Sequence, residues 1–313
     1  MPNRATMTLM VVEIGCMAEY ALVDAPDGRV AAVFERSFYL DLADRWLCVT
    51  ANEGLGPLAM TTRSPSGSAG RIGAMIVVGD PVRAAQSQIR IGSRCVIDVS
   101  HAQVWRPVAY PDWSDETVEV GLDAVVGLAR RQTSKEGLGV LAYGSVCDIA
   151  DLALARSARP ALVDLGRWFA TVLISANPRI PPPTLLSLVG LGPGLTPSGD
   201  DFLSGAMISA HALARPGVAG RMYAAIAPEL KRLTHPISAA HLTAAADGLG
   251  GAAFHRVLGH TLAGNVGCLP DDIAALTAIG HSSGWDALAG MTFVLRAWLG
   301  RNVFSLPELP PLN

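Results

Sequence analysis

The chain has 313 residues, 50% of them hydrophobic and only 16% charged, and its 24 Lys and Arg against 27 Asp and Glu leave a net charge of −3. That balance excludes a disordered or highly charged protein, which would bury too little apolar surface to fold. It also leaves no basic surplus to neutralise a run of phosphates, so nucleic acid is not expected as a partner. So few charges over so large a surface predict that some apolar area is covered by other protein subunits.

From Thr8 to about Val108 the apolar runs are short, rich in Val and Ile, and separated by turn signals such as Pro26-Asp27-Gly28. They predict strands at Met10 to Ile14, Val30 to Phe34, Trp46 to Thr50, Met75 to Val78, Ile89 to Ile91 and Val96 to Val99. Their spacing suits an antiparallel sheet or barrel. The stretch Thr8 to Gly15 is interrupted by Glu13, which argues against both a secretion signal and a lipobox at Cys16. No window approaches the ~20 consecutive apolar residues of a membrane span, and a cytoplasmic protein with no membrane partner is expected. Cys16, Cys48, Cys95, Cys147 and Cys268 are odd in number, widely spaced and without a CxxC pair, and read as buried thiols in a reducing compartment.

Around Pro107 and Pro111 the texture changes, and helical periodicity then dominates. Helices are predicted over Asp115 to Ala129, from about Asp200 to before Pro216, over Ile237 to Ala246, over Asp271 to Ile279 and over Trp285 to Leu299. No strands alternate with them, so a doubly wound sheet is not indicated. The expected class is α+β, with a β-rich domain over residues 1–110 and a helical domain over residues 111–313.

The most informative stretch is Gly190-Leu-Gly-Pro-Gly-Leu-Thr-Pro-Ser-Gly-Asp-Asp-Phe-Leu-Ser-Gly205. Its glycines and prolines predict a loop that runs into a helix and presents backbone N–H groups where unpaired donors and the helix dipole favour an anionic small-molecule substrate. The loop lacks both the GKS or GKT ending of a phosphate-binding NTPase loop and the GxGxxG spacing of a dinucleotide fold. Gly192, Gly194, Thr196, Ser198 and Gly199 are its candidate binding residues. Asp200 and Asp201 would repel a phosphate unless a hard cation such as Mg²⁺ intervened or the carboxylates accepted bonds from an amide, carbamoyl or amino group. Ser198-x-x-Asp201 also spells a capping box, with Ser198 at the N-cap and Asp201 at N3, so capping and ligand binding both remain open.

Ser283-Gly284-Trp285-Asp286-Ala287-Leu288-Ala289-Gly290 repeats the SGxDxLxG pattern of Ser198 to Gly205. Two facing helix starts would let Asp201 and Asp286 converge on one ligand, with Ser283 and Gly284 beside them; otherwise both boxes are only caps. Gly280 to Gly284 also matches GxSxG, but a helix precedes it and no His follows His281, so a hydrolase triad is not supported. Thr234-His-Pro-Ile-Ser-Ala-Ala-His241 places His235 and Ser238 at a helix start marked by Pro236, where they are candidate substrate-positioning groups. No histidine spacing is HxxxH or HExxH, and no metal site is assigned.

GLGPGLTPSGDDFLSG, THPISAAHL and GHSSGWDALAG together resemble three blocks of the AllH-like bacterial family, which includes a subunit of oxamate carbamoyltransferase from anaerobic allantoin breakdown. The resemblance covers about residues 185 to 291. Ser204, where Ala is common, and His235 depart from it. The resemblance implies carbamoyl transfer between carbamoyl phosphate and a small acceptor such as oxamate, by one subunit of a hetero-oligomer. From the loop, its repeat and the Thr234 to His241 segment themselves, Asp200, Asp201, Asp286 and His235 are the candidate catalytic residues. A reading from a different class is a non-catalytic subunit that binds an anion or nucleotide as a scaffold.

Overall fold

Alternating burial along the first hundred residues organises a closed ring of strands. The structure is a computed structural model and describes residues 6–23, 27–51, 56–63, 72, 76–85, 87–132, 137–144, 153–174, 179–278 and 281–301. It falls into two compact units, Met1–Pro107 and Val108–Asn313, the first β-rich and the second helical, which makes the class α+β.

The first unit contains β1 (Met7–Gly15), α1 (Cys16–Leu22), β2 (Gly28–Val33), β3 (Ser37–Leu42), β4 (Arg45–Thr50), β5 (Ala59–Arg63), β6 (Pro81–Ala85), β7 (Gln88–Ile91), β8 (Cys95–Asp98) and β9 (Gln103–Trp105). The strands run in the order β5-β4-β3-β2-β6-β7-β8-β1-β9, and β1 also pairs with β5, so the sheet closes on itself. Closure removes the unpaired edges that an open sheet would expose. Most pairings are antiparallel, but β1 runs parallel to β8 and β9, and β4 runs parallel to β5. The period of two in β3 (Phe38, Leu40, Leu42), β4 (Leu47, Val49) and β7 (Ile89, Ile91) sends these side chains into one core with Leu9, Val30 and Ile97. Ala18, Ala21 and Leu22 of α1 join that core.

Two sequence expectations change here. Ile76 to Val78 form no strand: Val77 accepts the Asp80 N–H at 3.0 Å, Gly79 has φ +90°, and Val77 and Val78 are exposed, while Met75 lies outside the described residues. The hairpin of β3 with β4 turns on Ala43 and Asp44, both in the left-handed region at φ 52° and 69°, with Asp44 N–H donating to Asp41 Oδ1 at 3.0 Å. Such a two-residue turn normally carries Gly or Asn-Gly, and its absence hid β3. The cysteines also differ from expectation. Cys95 is buried, Cys16 and Cys48 are half-buried, Cys268 is exposed, and Cys147 lies outside the described residues.

The second unit contains α2 (Asp115–Gln132), α3 (Ala153–Val172), α4 (Ser198–Ala212), α5 (Pro216–Ile226), α6 (Leu230–Leu233), α7 (Pro236–Ala246), α8 (Ala252–Leu262), α9 (Leu269–Thr277) and α10 (Ser283–Trp298). Short 3₁₀ turns occupy Gly139–Ala142 and Pro183–Leu188. Val118, Leu122, Val125 and Ala129 form the buried stripe of α2 at helical spacing, and acidic residues in its first turn and arginines in its last complement the helix dipole. α4 and α10 are buried nearly all round, as expected of helices that are apolar on every face. Phe202 of α4 meets Phe293 of α10 edge to face at 5.4 Å, and Phe293 in turn meets Phe169 of α3 at 6.3 Å.

The crossing of α4 with α10 is made by backbone. A β-carbon on Gly205 would lie 2.0 Å from the Ala287 carbonyl oxygen, and one on Gly290 would lie 2.0 Å from that of Phe202. Any side chain at either position forces the helices apart. Gly205→Ala and Gly290→Ala are each expected to destabilise the protein by about 1–3 kcal/mol or more, the range for overpacking a filled core. Gly127→Ala is the control: its β-carbon meets nothing within 4 Å, so better helix propensity should leave stability unchanged or raise it by up to ~1 kcal/mol. Denaturant midpoints of the three variants check this, and a Gly205→Ala protein as stable as wild type would refute the backbone contact.

Candidate functional site

The glycine loop is held by hydrogen bonds from within and from behind. Gly190, Gly192 and Gly194 have φ of 72°, 118° and 92°, a region open to glycine but costly for other residues. A β-carbon on Gly190 would also lie 1.9 Å from the Leu233 carbonyl oxygen. Gly199 N–H donates to the Leu191 carbonyl at 2.9 Å, closing the loop, and Gly190 N–H donates to Asp200 Oδ1 at 2.8 Å. Asp200 Oδ2 accepts from Ser238 Oγ at 2.6 Å and from Thr234 Oγ1. Asp200 is 1% exposed. Burial raises its pKa, while the Ser238, Thr234 and Gly190 bonds oppose the rise. Both of its oxygens are therefore committed to protein, and it pins the loop to the start of α7.

α4 starts one residue earlier than a capping box requires. Pro197 is its N-cap, no side chain caps it, and Asp201 N–H donates to the Pro197 carbonyl at 3.1 Å. Ser198 thus stands at N1 and Asp201 at N4. α10 starts in the same way: Ser282 is the N-cap without a side-chain cap, Ser283 is at N1, and Asp286 N–H donates to the Ser282 carbonyl at 2.9 Å. The capping-box reading of Ser198 and Asp201 is corrected by this one-residue shift. A true reciprocal cap occurs instead at the start of α2, where Thr117 N–H donates to Ser114 Oγ and Ser114 N–H to Thr117 Oγ1.

The two helix starts meet and exchange partners. The Ser283 hydroxyl lies against Asp201, and the Ser198 hydroxyl against Asp286. Thr196 Oγ1 and Ser283 Oγ are 3.0 Å apart. Gly199 and Gly284, both at N2, each face a carbonyl of the preceding segment, with a β-carbon landing 1.9 Å from Leu188 O and 2.3 Å from Leu276 O. With the Gly205 and Gly290 contacts, the SGxDxLxG repeat of the sequence becomes an approximate two-fold arrangement of structure. Both helices point their positive ends at the same place.

Asp286 is fully buried. Its Oδ1 accepts the Leu138 N–H at 2.6 Å, from a segment that Arg296, further along α10, holds through the carbonyls of Leu141, Ala142 and Gly144. Burial pushes the Asp286 pKa up to about 6. The Ser198 and Ser282 hydroxyls and the Leu138 and Gly139 N–H groups draw it partly back, yet no described residue donates to Oδ2 in hydrogen-bond geometry. Asp201 is raised well above the usual range, first by burial and then by the neighbouring Asp286 and Asp200 charges, against the Ser283 and Thr196 hydroxyls. Its Oδ2 is likewise buried with no described donor.

The structure therefore brings together Thr196, Ser198, Asp201, Ser283 and Asp286, with Gly192, Gly199 and Gly284 shaping the backbone around them. Asp200 and Ser238 stand behind the loop rather than at the paired carboxyls. His235, expected as a catalytic group, is the N-cap of α7, its Nδ1 accepting the Ile237 N–H at 3.2 Å. Gly194 is exposed at the loop tip, and no Cβ at that position would meet a neighbour within 4 Å. Leu138 and Thr234 join these residues, the Leu138 N–H donating to Asp286 and the Thr234 hydroxyl to Asp200. The four-residue spacing of Thr234 and Ser238 across a helix start was the available signal for one; nothing local marks Leu138. Among the described residues, no three His, Cys, Asp or Glu side chains are placed to hold a metal ion.

A raised carboxyl pKa opposes folding once the group ionises. The folded state holds the Asp286 proton up to about pH 6, whereas the unfolded chain releases it near the ordinary value of about 4, so this contribution to stability is present at low pH and lost as pH climbs through that window. Asp286→Asn removes the loss. The variant should exceed wild type in stability at neutral pH by on the order of 1–3 kcal/mol, with the difference shrinking toward pH ~4. Melting temperatures across that range measure it. A variant less stable than wild type at neutral pH would show that the carboxylate is well solvated by its surroundings.

No helix of the described residues is long and apolar enough to cross a membrane. No solved structure matches the chain. A family model described as oxamate carbamoyltransferase subunit AllH matches residues 188–295, a span that holds the glycine loop, Asp200, Asp201 and Asp286 and leaves out the first unit and Leu138. Over those residues of the helical unit the chain is similar to the AllH family.

Proposed function

We propose that the chain is a subunit of a carbamoyltransferase-type complex in allantoin nitrogen catabolism, acting with other protein subunits on carbamoyl phosphate and a small acceptor such as oxamate. The observation that carries this reading is the meeting of two helix N-termini at Asp201 and Asp286, each with a buried oxygen that no described residue satisfies. Buried polar groups are normally paired, so an orphaned one calls for a cause such as a catalytic role or a bound water or ion, and carboxyls with strongly shifted pKa values cluster at functional sites. The family match covers these same residues.

In this reading Asp201 and Asp286 contact the substrate, and the Thr196 and Ser283 hydroxyls add donors beside them. Asp200 is a positioning residue, fixing Gly190 and so the path of the loop. Catalysis consists of orientation and charge stabilisation by preorganised groups, and needs no covalent intermediate on the protein. A non-catalytic binding subunit is the second reading, and the complete burial of Asp286 favours it, because a group closed off from solvent is poorly placed for turnover.

Calorimetric titration of carbamoyl phosphate into wild type and Asp201→Asn tests the proposal. Wild type is expected to bind, and the variant to bind at least about tenfold more weakly, a loss of ~1.4 kcal/mol. Equal affinity would remove Asp201 from the site. Binding without turnover by the chain, alone or with co-purifying subunits, would select the second reading.

A further inference from the structure

The two carboxyls at the paired helix starts differ in a way that specifies the chemistry of what lies between them. Asp286 is anchored as an acceptor: Leu138 N–H donates to its Oδ1, and the Ser198 hydroxyl stands beside it. Burial opposes the ionisation of Asp201 first, and the charges of Asp286 across from it and of its chain neighbour Asp200 add to that opposition. We infer that Asp201 and Asp286 work as one donor and acceptor pair that recognises the planar H₂N–C=O edge of a primary amide or carbamoyl group, with the acid form of Asp201 donating to the carbonyl oxygen and the Asp286 carboxylate accepting from the nitrogen. The inference rests on the site placement given above but not on the identity of the substrate.

Other ligand classes fit less well. A phosphate would meet two carboxyls, and two amides of the loop, Gly190 N–H and Gly199 N–H, already donate to Asp200 and Leu191. An ammonium group has donors only and would leave an acid O–H without an acceptor. Among the described residues no third His, Cys, Asp or Glu joins the pair, so a divalent cation would draw most of its ligands from outside these side chains. A primary amide offers one acceptor and a donor side by side, and so satisfies both orphaned Oδ2 atoms at once. The same pair disfavours a carboxylate of identical shape, since that ligand sets a second negative charge against the Asp286 carboxylate and brings no donor for it.

The test is carboxyl NMR of the full-length protein labelled with ¹³C-aspartate, titrated with acetamide and, in parallel, with acetate. At neutral pH one carboxyl signal is expected at the position of a protonated acid, present in wild type and lost in Asp201→Asn. Acetamide should shift that signal and the Asp286 signal together, and acetate should move neither. Asp286→Asn should weaken the acetamide response at least about tenfold. Ser283→Ala keeps both carboxyls and removes only a hydroxyl beside Asp201, so it provides the assignment if an Asn variant fails to fold. Two ionised carboxyls at neutral pH, an acid signal that ignores acetamide because the two aspartates bond only each other, or an equal response to acetate each overturn the inference. An acetamide response in a protein that ignores carbamoyl phosphate would sustain the pair and reject the transferase reading; the converse would do the opposite.

Discussion

The close crossing of α4 and α10 is the constraint on which the helical unit depends. Gly205 and Gly290 let each helix lay its backbone against the other, and the contact is reciprocal because each glycine stands seven residues after the first residue of its own helix. A reciprocal crossing of this kind brings both N-termini to the same side. The Phe202 and Phe293 rings fill the space beside it, and the unit's core is built outward from there. A larger residue at either glycine would move the aspartates as well as the helices.

Bringing two helix starts together creates a favourable place for negative charge and then overfills it. Each N-terminus carries about half a positive charge, and serine and threonine hydroxyls add donors, but burial of a carboxylate costs several kcal/mol when its oxygens are not all matched. The outcome is a site held at some expense to stability, as functional sites commonly are. Asp200 and Asp201 show how finely this is set. They are adjacent in sequence, yet a helix turns about 100° per residue, so one faces Gly190, Thr234 and Ser238 and has both oxygens matched, while the other faces α10 and has one oxygen left open.

Much of the fold was legible because it rests on local regularities. Strands with period-two apolar residues, such as β4 and β7, and helices with a clean stripe, such as α2, announce themselves through burial of one face. Where the signal failed, a specific rule was broken. β3 was hidden by a turn built on Ala43 and Asp44 without glycine, and β6 by Pro81, which a strand tolerates only at its first residue or an edge. Val77 and Val78 looked like a strand because the composition was right, although Gly79 and Asp80 form the turn that ends any such run. The capping boxes looked complete, but a cap depends on φ and ψ at a single residue, and here Pro197 and Ser282 occupy that position.

The sequence by itself determined the α+β division, the glycine loop and the repeat of SGxDxLxG, because each follows from residue types and spacings within a short window. Tertiary structure alone decided that Asp201 and Asp286 face each other, that Asp200 is turned inward to hold the loop, that His235 caps a helix, and that Leu138, almost 150 residues upstream of Asp286, supplies that carboxyl's hydrogen bond. Those outcomes depend on which helix packs against which, and that choice was made by the summed burial of the whole unit and by two glycines at one crossing. No local pattern carries that information, because a carboxyl's partners are set by distance in space and not by separation along the chain.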